Sequence, residues 1–202
     1  KEVLEKNKEN SFGMYLYYYK QFQHKDFPTL ENITEEKAYV ESFGAAAKNT
    51  RYLPWIMEEL GKYEGCAIGH EAPEIVGKDT LGNELKLSDL RGNYVLVDFW
   101  NSYCHWCREE TPALKRALEH FAGKNFKILG VSSDRVKKLW MDAIHEDGSY
   151  WDHLMLEKGD DVMDRYCIKG IPHIILVGPD GKILAKELRG QDLIDVPDQF
   201  VK

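Results

Sequence analysis

The spacing of apolar residues changes partway along the chain. In the first part apolar residues recur at helical spacing, as in Phe12, Leu16 and Tyr19, which predicts a helical segment over residues 1–65. Farther on, short apolar runs alternate with turns rich in glycine and asparagine, which is typical of strands in tight connections. The sequence therefore predicts a small α-helical N-terminal segment followed by an α/β domain over 66–202.

Three local signals predict helix ends within the helical segment. Thr34 is a candidate N-cap, because Glu35 and Glu36 follow it and carboxylates stabilise the first turn of a helix. Pro54 suits the first turn of a later helix, where its missing N–H costs nothing. Gly61 is a candidate for the end of that helix.

Two near-continuous apolar runs in the second part, residues 94–99 and 126–132, predict buried parallel strands. Helical patterns follow them at 104–121 and 134–146, and a short helix is predicted at 160–166. The run "HIILVG", the turn "PDGK" and the run "KILAKEL" then predict a hairpin. This order indicates a central mixed sheet flanked by helices, with an antiparallel edge.

Composition narrows the class of protein. The chain has 202 residues and a formal net charge of −7, which argues against nucleic acid as a partner, because phosphate contacts need clustered lysine and arginine. No apolar run approaches the roughly 18–20 residues that cross a bilayer, so no transmembrane segment is expected. The opening "KEVLEKNKEN" has neither an initiator methionine nor a leader pattern, and we interpret the sequence as a mature or truncated form.

The stretch "DFWNSYCHWCREETP" carries the candidate chemistry. Cys104 and Cys107 stand two residues apart at the start of a predicted helix, which is close enough for a disulfide. The exposed N–H groups and the positive end of the helix dipole favour a thiolate at this position. Cys104 lies nearest to them and is the predicted nucleophile, whereas Cys107 lies a turn inside and is suited to resolve a mixed disulfide.

Other kinds of cysteine site fit the sequence less well. A structural zinc site needs four ligands, and Cys66 and Cys167 have no neighbour at ligand spacing. A c-type haem site needs histidine directly after the second cysteine, where this chain has Arg108. A purely structural bridge would close too short a loop to constrain the unfolded chain. We therefore expect redox chemistry without a bound metal or cofactor.

These motifs resemble a known family. The stretch "LVDFWNSYCHWC" is similar to the active-site motif of thioredoxins, and "GHEAPEIVGKDTLGNELKLSDLRGNYVLVDFW" resembles the entry region of TlpA/ResA-like thiol-disulfide oxidoreductases and of peroxiredoxins. The segment "RYCIKGIPHIILVGPDGKI" resembles the thioredoxin segment that carries a cis-proline. The resemblance covers about Gly69 to the C-terminus and implies a thioredoxin-like fold and thiol-disulfide oxidoreductase activity.

The resemblance also implies roles for residues outside the cysteine pair. Pro172 corresponds to the cis-proline, which would place the backbone of Ile171 opposite the cysteines for pairing with a substrate strand. Asp98 corresponds to the buried acid of thioredoxin, and burial in an apolar strand would suit it to accept a proton from Cys107. Glu110 matches the glutamate of the "C-x-x-C-x-x-E-x-P" pattern that lies beside the active site. A backbone-satisfied aspartate and a surface glutamate are the competing interpretations.

Four aromatic residues around the pair are candidate substrate-binding residues. Trp100 is expected to pack beside the site, and Tyr103 replaces the tryptophan that usually precedes the first cysteine. His105 and Trp106 replace the usual Gly-Pro dipeptide. A protonated His105 would stabilise a thiolate and make the disulfide more oxidising, or the ring would point into solvent. The reduction potential, and with it the physiological direction, therefore stays open.

The implied partners are substrate proteins with disulfides, with a membrane electron donor and a periplasmic or cell-envelope location of the Gram-negative type. Two alternatives stay open beside this prediction. A peroxiredoxin-like peroxidase needs threonine or serine three residues before its cysteine and proline after the cysteine, whereas this chain has Asn101 and His105 at those positions around Cys104. A metal- or haem-binding chaperone would use Cys104, Cys107 and a histidine as ligands.

Two further cysteines stand alone in the sequence. Cys66 lies where the two predicted parts meet, and Cys167 ends a short predicted helix five residues before Pro172. A bridge between them would close a long loop, which an oxidising compartment allows. Small apolar thiols are among the most buried residue types, so we predict two buried core residues rather than a second disulfide.

Overall fold

The computed structural model describes residues 2–202, which divide into two compact units. The first unit ends at Ala67, and the second is Ile68–Lys202. No helix within the described part of the chain is long and apolar enough to cross a membrane.

The first unit is helical, as the sequence predicts. Its helices are α1 (Glu2–Lys6), α2 (Ser11–Lys20), α3 (Leu30–Glu41), α4 (Ala45–Lys48) and α5 (Tyr52–Gly65). Side chains from α2, α3 and α5 form much of its core, including Met14, Tyr17, Ile33, Val40, Ile56 and Leu60.

Two of the predicted helix ends in this unit are wrong. Thr29, not Thr34, caps α3, since its hydroxyl accepts a hydrogen bond from the Asn32 N–H at 3.2 Å. Thr34 lies inside the helix, where its hydroxyl donates to the Leu30 carbonyl at 2.8 Å. Helix α5 continues past Gly61, whereas the placement of Pro54 in its first turn is confirmed.

The second unit is built on a mixed sheet, as predicted. Within the described residues the sheet has seven strands in the order β2-β1-β5-β4-β3-β6-β7. They are β1 (Val76–Asp79), β2 (Glu84–Lys86), β3 (Tyr94–Trp100), β4 (Phe126–Ser132), β5 (Asp152–Met155), β6 (His173–Val177) and β7 (Ile183–Ala185). Strands β3, β4 and β5 are parallel, and β6 and β7 continue the sheet in antiparallel pairs.

The helices of this unit are α6 (His105–His120), α7 (Lys137–Asp147), α8 (Val162–Arg165) and α9 (Asp192–Asp195). The arrangement predicted from the sequence differs from this one at two points. Strand β5 was not predicted, because it is short and carries Asp152 and His153 instead of a clear apolar pattern. The run "KILAKEL" pairs over three residues only.

Helix α6 packs on the sheet through the face that its sequence makes apolar. Leu114, Ala117 and Phe121 recur at helical spacing and share one buried cluster with Leu96 of β3 and Ile174 of β6. This packing places the N-terminus of α6 beside the C-terminal end of β3, where the cysteine pair lies.

Candidate active site

The two cysteines form a disulfide at the start of α6. Their Cα atoms are 5.2 Å apart, and Cys104 is the N-cap residue of the helix. The backbone N–H of Cys107 donates to the Sγ of Cys104 at 3.1 Å. Cys104 is partly exposed, whereas Cys107 is only 2 % exposed. Solvent and a substrate therefore reach the first sulfur more easily than the second.

The loop before Cys104 is held by a buried carboxylate that sequence reasoning missed. Asp134 is 3 % exposed and accepts hydrogen bonds from the Ser102 N–H at 2.9 Å and the Ser102 hydroxyl at 2.6 Å. The Ser132 hydroxyl donates to the same carboxylate at 2.7 Å. Its position just beyond the end of a buried strand was the available signal. These bonds fix the approach of the chain to Cys104.

Asp98 lies in β3 and is buried, as predicted, with 5 % of its surface exposed. Burial raises the pKa of Asp98 to about 7; the Arg189 guanidinium opposes this rise and the Glu110 carboxylate adds to it. Its Oδ1 atom has no hydrogen-bond partner among residues 2–202. The carboxyl group can therefore gain or lose a proton near neutral pH.

Glu110 connects α6 to the segment after β7. Its carboxylate accepts a hydrogen bond from the Gly190 N–H at 2.9 Å. The neighbouring Arg189 donates to the carbonyl of Pro172 and, at 2.6 Å, to that of Leu188. Glu110 and Arg189 thus tie the helix of the cysteines to the loop that carries Pro172.

The Ile171–Pro172 peptide bond is cis, which confirms the configuration predicted for it. Ile171 is partly buried and packs against a cluster that contains Cys107 and Trp100. Pro172 immediately precedes β6, the strand that pairs with β3 on the side away from β4. The loop of Ile171 and Pro172 is therefore adjacent to the disulfide.

The four candidate aromatic residues fall into two groups. Tyr103 and Trp106 are 70 % and 68 % exposed, and the His105 side chain is 74 % exposed. The His105 Nε2 lies 3.1 Å from a Glu109 carboxylate oxygen, so this ring points into solvent and not toward the sulfurs. Trp100 is only 5 % exposed and packs under the disulfide, so its burial does not support contact with a substrate.

Arg108 clamps the start of α6 to the end of α7. Its guanidinium donates to Asp147 at 2.6–3.1 Å and to Glu146 at 2.9 Å. The hydrogen bonds to Asp147, and to a smaller extent the hydrogen bond to Glu146, raise the pKa of Arg108 above its ordinary value. No local sequence pattern predicts this clamp, because Arg108 and its partners are far apart along the chain.

The two remaining cysteines differ in burial. Cys66 is fully buried, which agrees with its prediction as a core residue. Cys167 is partly exposed and has a positive φ of 55°, so the prediction that it is buried is wrong. Its place at the end of a short helix, where the chain turns, keeps it out of the core.

Comparison with protein families agrees with this geometry. Residues 68–186 match the model of the AhpC/TSA family. Thiol-disulfide oxidoreductase ResA of Bacillus subtilis is 29 % identical over 121 residues, which are 60 % of this chain and 67 % of the relative.

Solved structures give higher identities. The thioredoxin domain of a thiol-disulfide oxidoreductase from Bacteroides vulgatus is 53 % identical with a TM-score of 0.66, covering 67 % of this chain and 99 % of that one. A thiol:disulfide interchange protein from Bacteroides sp. is 52 % identical with a TM-score of 0.65, covering 68 % of this chain and 91 % of that one. The chain therefore belongs to the AhpC/TSA family, in which it is a thioredoxin-like thiol-disulfide oxidoreductase of the TlpA/ResA type.

Proposed function

We propose that Cys104 attacks disulfides of substrate proteins and that Cys107 resolves the mixed disulfide. The observation that carries this assignment is the unequal burial of the two sulfurs at the start of α6. The Cys104 thiolate attacks one substrate sulfur, and the other leaves as a thiolate. Cys107 then loses its proton and attacks the Sγ of Cys104, which releases the second substrate thiolate. The substrate gains two electrons, and the cysteine pair becomes a disulfide.

Asp98 takes the proton of Cys107 in this scheme. A carboxyl group whose pKa lies at about 7 is well matched to proton transfer at neutral pH. Glu110 supports the step indirectly, because its carboxylate adds to the rise in the Asp98 pKa and so makes Asp98 a stronger base. Both roles agree with the burial and the contacts described above.

The substrate binds as an extended segment beside the loop of Ile171 and Pro172. An extended peptide gains affinity by pairing its backbone with an exposed backbone edge, and this loop is adjacent to the disulfide. Substrates are therefore proteins whose disulfides lie in accessible, extended segments. Reduction and exchange use the same groups, and the reduction potential of the pair decides which direction prevails.

Alkylation of the reduced protein near neutral or mildly acidic pH tests the assignment of the nucleophile. We expect iodoacetamide to label Cys104 first, because its sulfur is partly exposed and receives the Cys107 N–H at the helix N-terminus. Mass spectrometry of samples quenched at successive times measures the order. Earlier labelling of Cys107 would contradict the assignment.

Two exposed aromatic side chains are expected to contact the substrate protein. Trp106→Ala and Tyr103→Ala should each raise KM for a disulfide-bonded protein by about tenfold, because exposed Trp and Tyr carry much of the binding energy at interfaces. Stability should change by less than about 0.5 kcal/mol, since neither ring is buried.

The control for this prediction is Tyr150→Ala. Tyr150 is 73 % exposed but precedes the N-terminal end of β5, whereas the cysteines follow the C-terminal end of the parallel strand β3. A small aromatic disulfide is too short to contact Trp106 and Tyr103 while it reacts with Cys104. Its rate of reduction should therefore stay near the wild-type value in all three variants. Loss of rate with the small disulfide would show that Trp106 or Tyr103 acts on the cysteines instead of on substrate binding.

The same proposal includes an extracytoplasmic location, in the periplasm or cell envelope, and a membrane protein that keeps the pair reduced. Oxidising compartments are where protein disulfides persist and where a dedicated reductant is needed. Fractionation of cells that make the full gene product tests the location, and recovery of the protein in the cytosol would overturn it.

A further inference from the structure

A row of three residues crosses the sheet beside the candidate proton acceptor. Asp98 of β3 pairs with Gly130 of β4, and Gly130 pairs with His153 of β5. Residues in register on neighbouring strands point to the same face of a sheet. Since Gly130 has no side chain, the side chains of Asp98 and His153 face each other across it.

The His153 ring occupies the space over Gly130. A Cβ atom built on Gly130 would lie 2.2 Å from the Nδ1 of His153 and 3.1 Å from the Nε1 of Trp100. Trp100 follows Asp98 by two positions in β3, so it shares the face of Asp98. Polar atoms of Trp100 and His153 therefore lie over Gly130, and Asp98 stands in register with this glycine on the neighbouring strand.

These polar atoms are buried and lack partners elsewhere. The Oδ1 of Asp98, the Nε1 of Trp100 and the Nδ1 of His153 have no hydrogen-bond partner among the described residues 2–202. All three side chains are at most 5 % exposed. Buried polar groups in native proteins usually have a partner, in the protein or through an ordered water.

The donor and acceptor character of the cluster follows from its contacts. The Nε2 of His153 lies 2.8 Å from the carbonyl of Ser149, which only accepts, so Nε2 carries the proton and Nδ1 presents a lone pair. Burial lowers the pKa of His153 to about 4, against the hydrogen bond to Ser149 and the Asp152 charge, so the ring is neutral at pH 7. Over Gly130 the Nδ1 of His153 is therefore an acceptor and the Trp100 N–H a donor. The N–H groups of Trp140 and Trp151, whose rings also contact His153, have no partner among residues 2–202 either.

We propose that His153 is a positioning residue for proton transfer: its Nδ1 accepts a hydrogen bond, through one bridging water, from the protonated form of Asp98. The Trp100 N–H serves the ionised form of the same carboxyl in the same way. Because a neutral acceptor stabilises only the protonated acid, His153 makes Asp98 a stronger base toward Cys107. This inference rests on the proposed role of Asp98.

Three charged residues outside the row shift the pKa of Asp98 or of His153. Arg189 lowers the pKa of Asp98 and Glu110 raises it, while Asp152 raises that of His153. None of these three lies in the row over Gly130. A change in the Asp98 midpoint on replacing His153 is therefore attributable to the row itself.

The test separates the two chemical steps by stopped flow. The reduced protein reacts with 5,5′-dithiobis(2-nitrobenzoate), which releases one nitrothiobenzoate at the attack of Cys104 and another at resolution by Cys107. In His153→Phe, the midpoint of the pH profile of the second phase should fall by about one unit, because one acceptor is lost. The first phase should not change. Simple loss of a polar neighbour would raise the midpoint, so the sign of the shift distinguishes the two explanations.

Three further variants make the result specific. His153→Gln keeps an acceptor and should restore the wild-type midpoint. Trp151→Phe disturbs the ring that stacks on His153 at 5.5 Å but leaves the acceptor, and it should also keep the midpoint. Gly130→Ala pushes the imidazole off the row and should lower the midpoint as His153→Phe does. An unchanged or raised midpoint in His153→Phe would overturn the inference.

A second measurement keeps this result independent of the proposed role of Asp98. The pKa of the Asp98 carboxyl is measured by carbon-13 NMR in the oxidised protein, where no thiol titrates, for the wild type and His153→Phe. A lower value in the variant supports the contact even if Asp98→Asn resolves at the normal rate. In that case only the role of Asp98 as proton acceptor fails. Equal values in the two proteins overturn the contact.

Discussion

Cys107→Ser will accumulate mixed disulfides with substrate proteins, whereas Cys104→Ser will accumulate none. In the first variant Cys104 still attacks, but no second thiol is present to release the substrate. In the second variant the buried Cys107, at 2 % exposed, cannot reach an incoming disulfide. Multiple-turnover reduction should be lost in both variants, because each half of the exchange needs its own sulfur. Non-reducing electrophoresis followed by mass spectrometry of the trapped species measures the difference.

The matched control for trapping is the double variant Cys104→Ser/Cys107→Ser. It should trap no substrate, which shows that bands seen with Cys107→Ser do not arise from Cys66 or Cys167. Equal trapping by the two single variants would show that both sulfurs are accessible nucleophiles. The division of roles between the two cysteines would then be wrong.

Asp98→Asn should stabilise the oxidised protein at alkaline pH and slow resolution. The folded pKa of about 7 lies above the ordinary value of 3.8, so folding binds a proton in this range. The stability that the acid contributes is complete below pH 3.8 and is lost as the pH rises through 7. Asparagine carries no charge and avoids this loss. The expected gain is near zero at pH 4 and at most about 4 kcal/mol at pH 8.

Urea unfolding of the oxidised wild type and variant at these two pH values measures the gain in stability. On the kinetic side, resolution by Cys107 should slow by about 100-fold near pH 7, since a positioned general base is lost. The attack by Cys104 should keep its rate. Asp142→Asn, which changes a partly exposed carboxylate on α7 bound to Lys138, is the control and should alter neither quantity. A slower attack with normal resolution would contradict the role of Asp98.

Local sequence patterns determined much of the second unit. The apolar runs of β3 and β4 and the helical spacing of α6 are strong, continuous signals, and all three elements appear within one or two residues of their predicted positions. The cysteine spacing predicted the disulfide because two residues of separation at a helix start bring the sulfurs together whatever the rest of the fold. The position of Asp98 inside an apolar strand likewise predicted a buried acid, and the side chain is buried.

Features that depend on distant segments were missed. The strand β5 forms because β4 and β1 offer edges for pairing, not because four residues with Asp152 and His153 favour a strand. Asp134 holds the Ser102 loop because the C-terminal ends of the neighbouring strands β3 and β4 lie side by side in the fold. No pattern within either segment predicts this contact. The sequence predicted that Trp100 packs beside the cysteines, and only the packing of β3 shows that its ring lies in the core.

The sequence by itself therefore determined which residues carry the redox chemistry, because a dithiol at a helix start needs only local geometry. The tertiary structure decided what surrounds that pair. It made one sulfur accessible and the other buried, brought Arg189 and Glu110 to the acid, and laid His153 over Gly130 beside Asp98. These properties depend on burial and on contacts between segments far apart in the chain, and no local pattern encodes the distance between such segments.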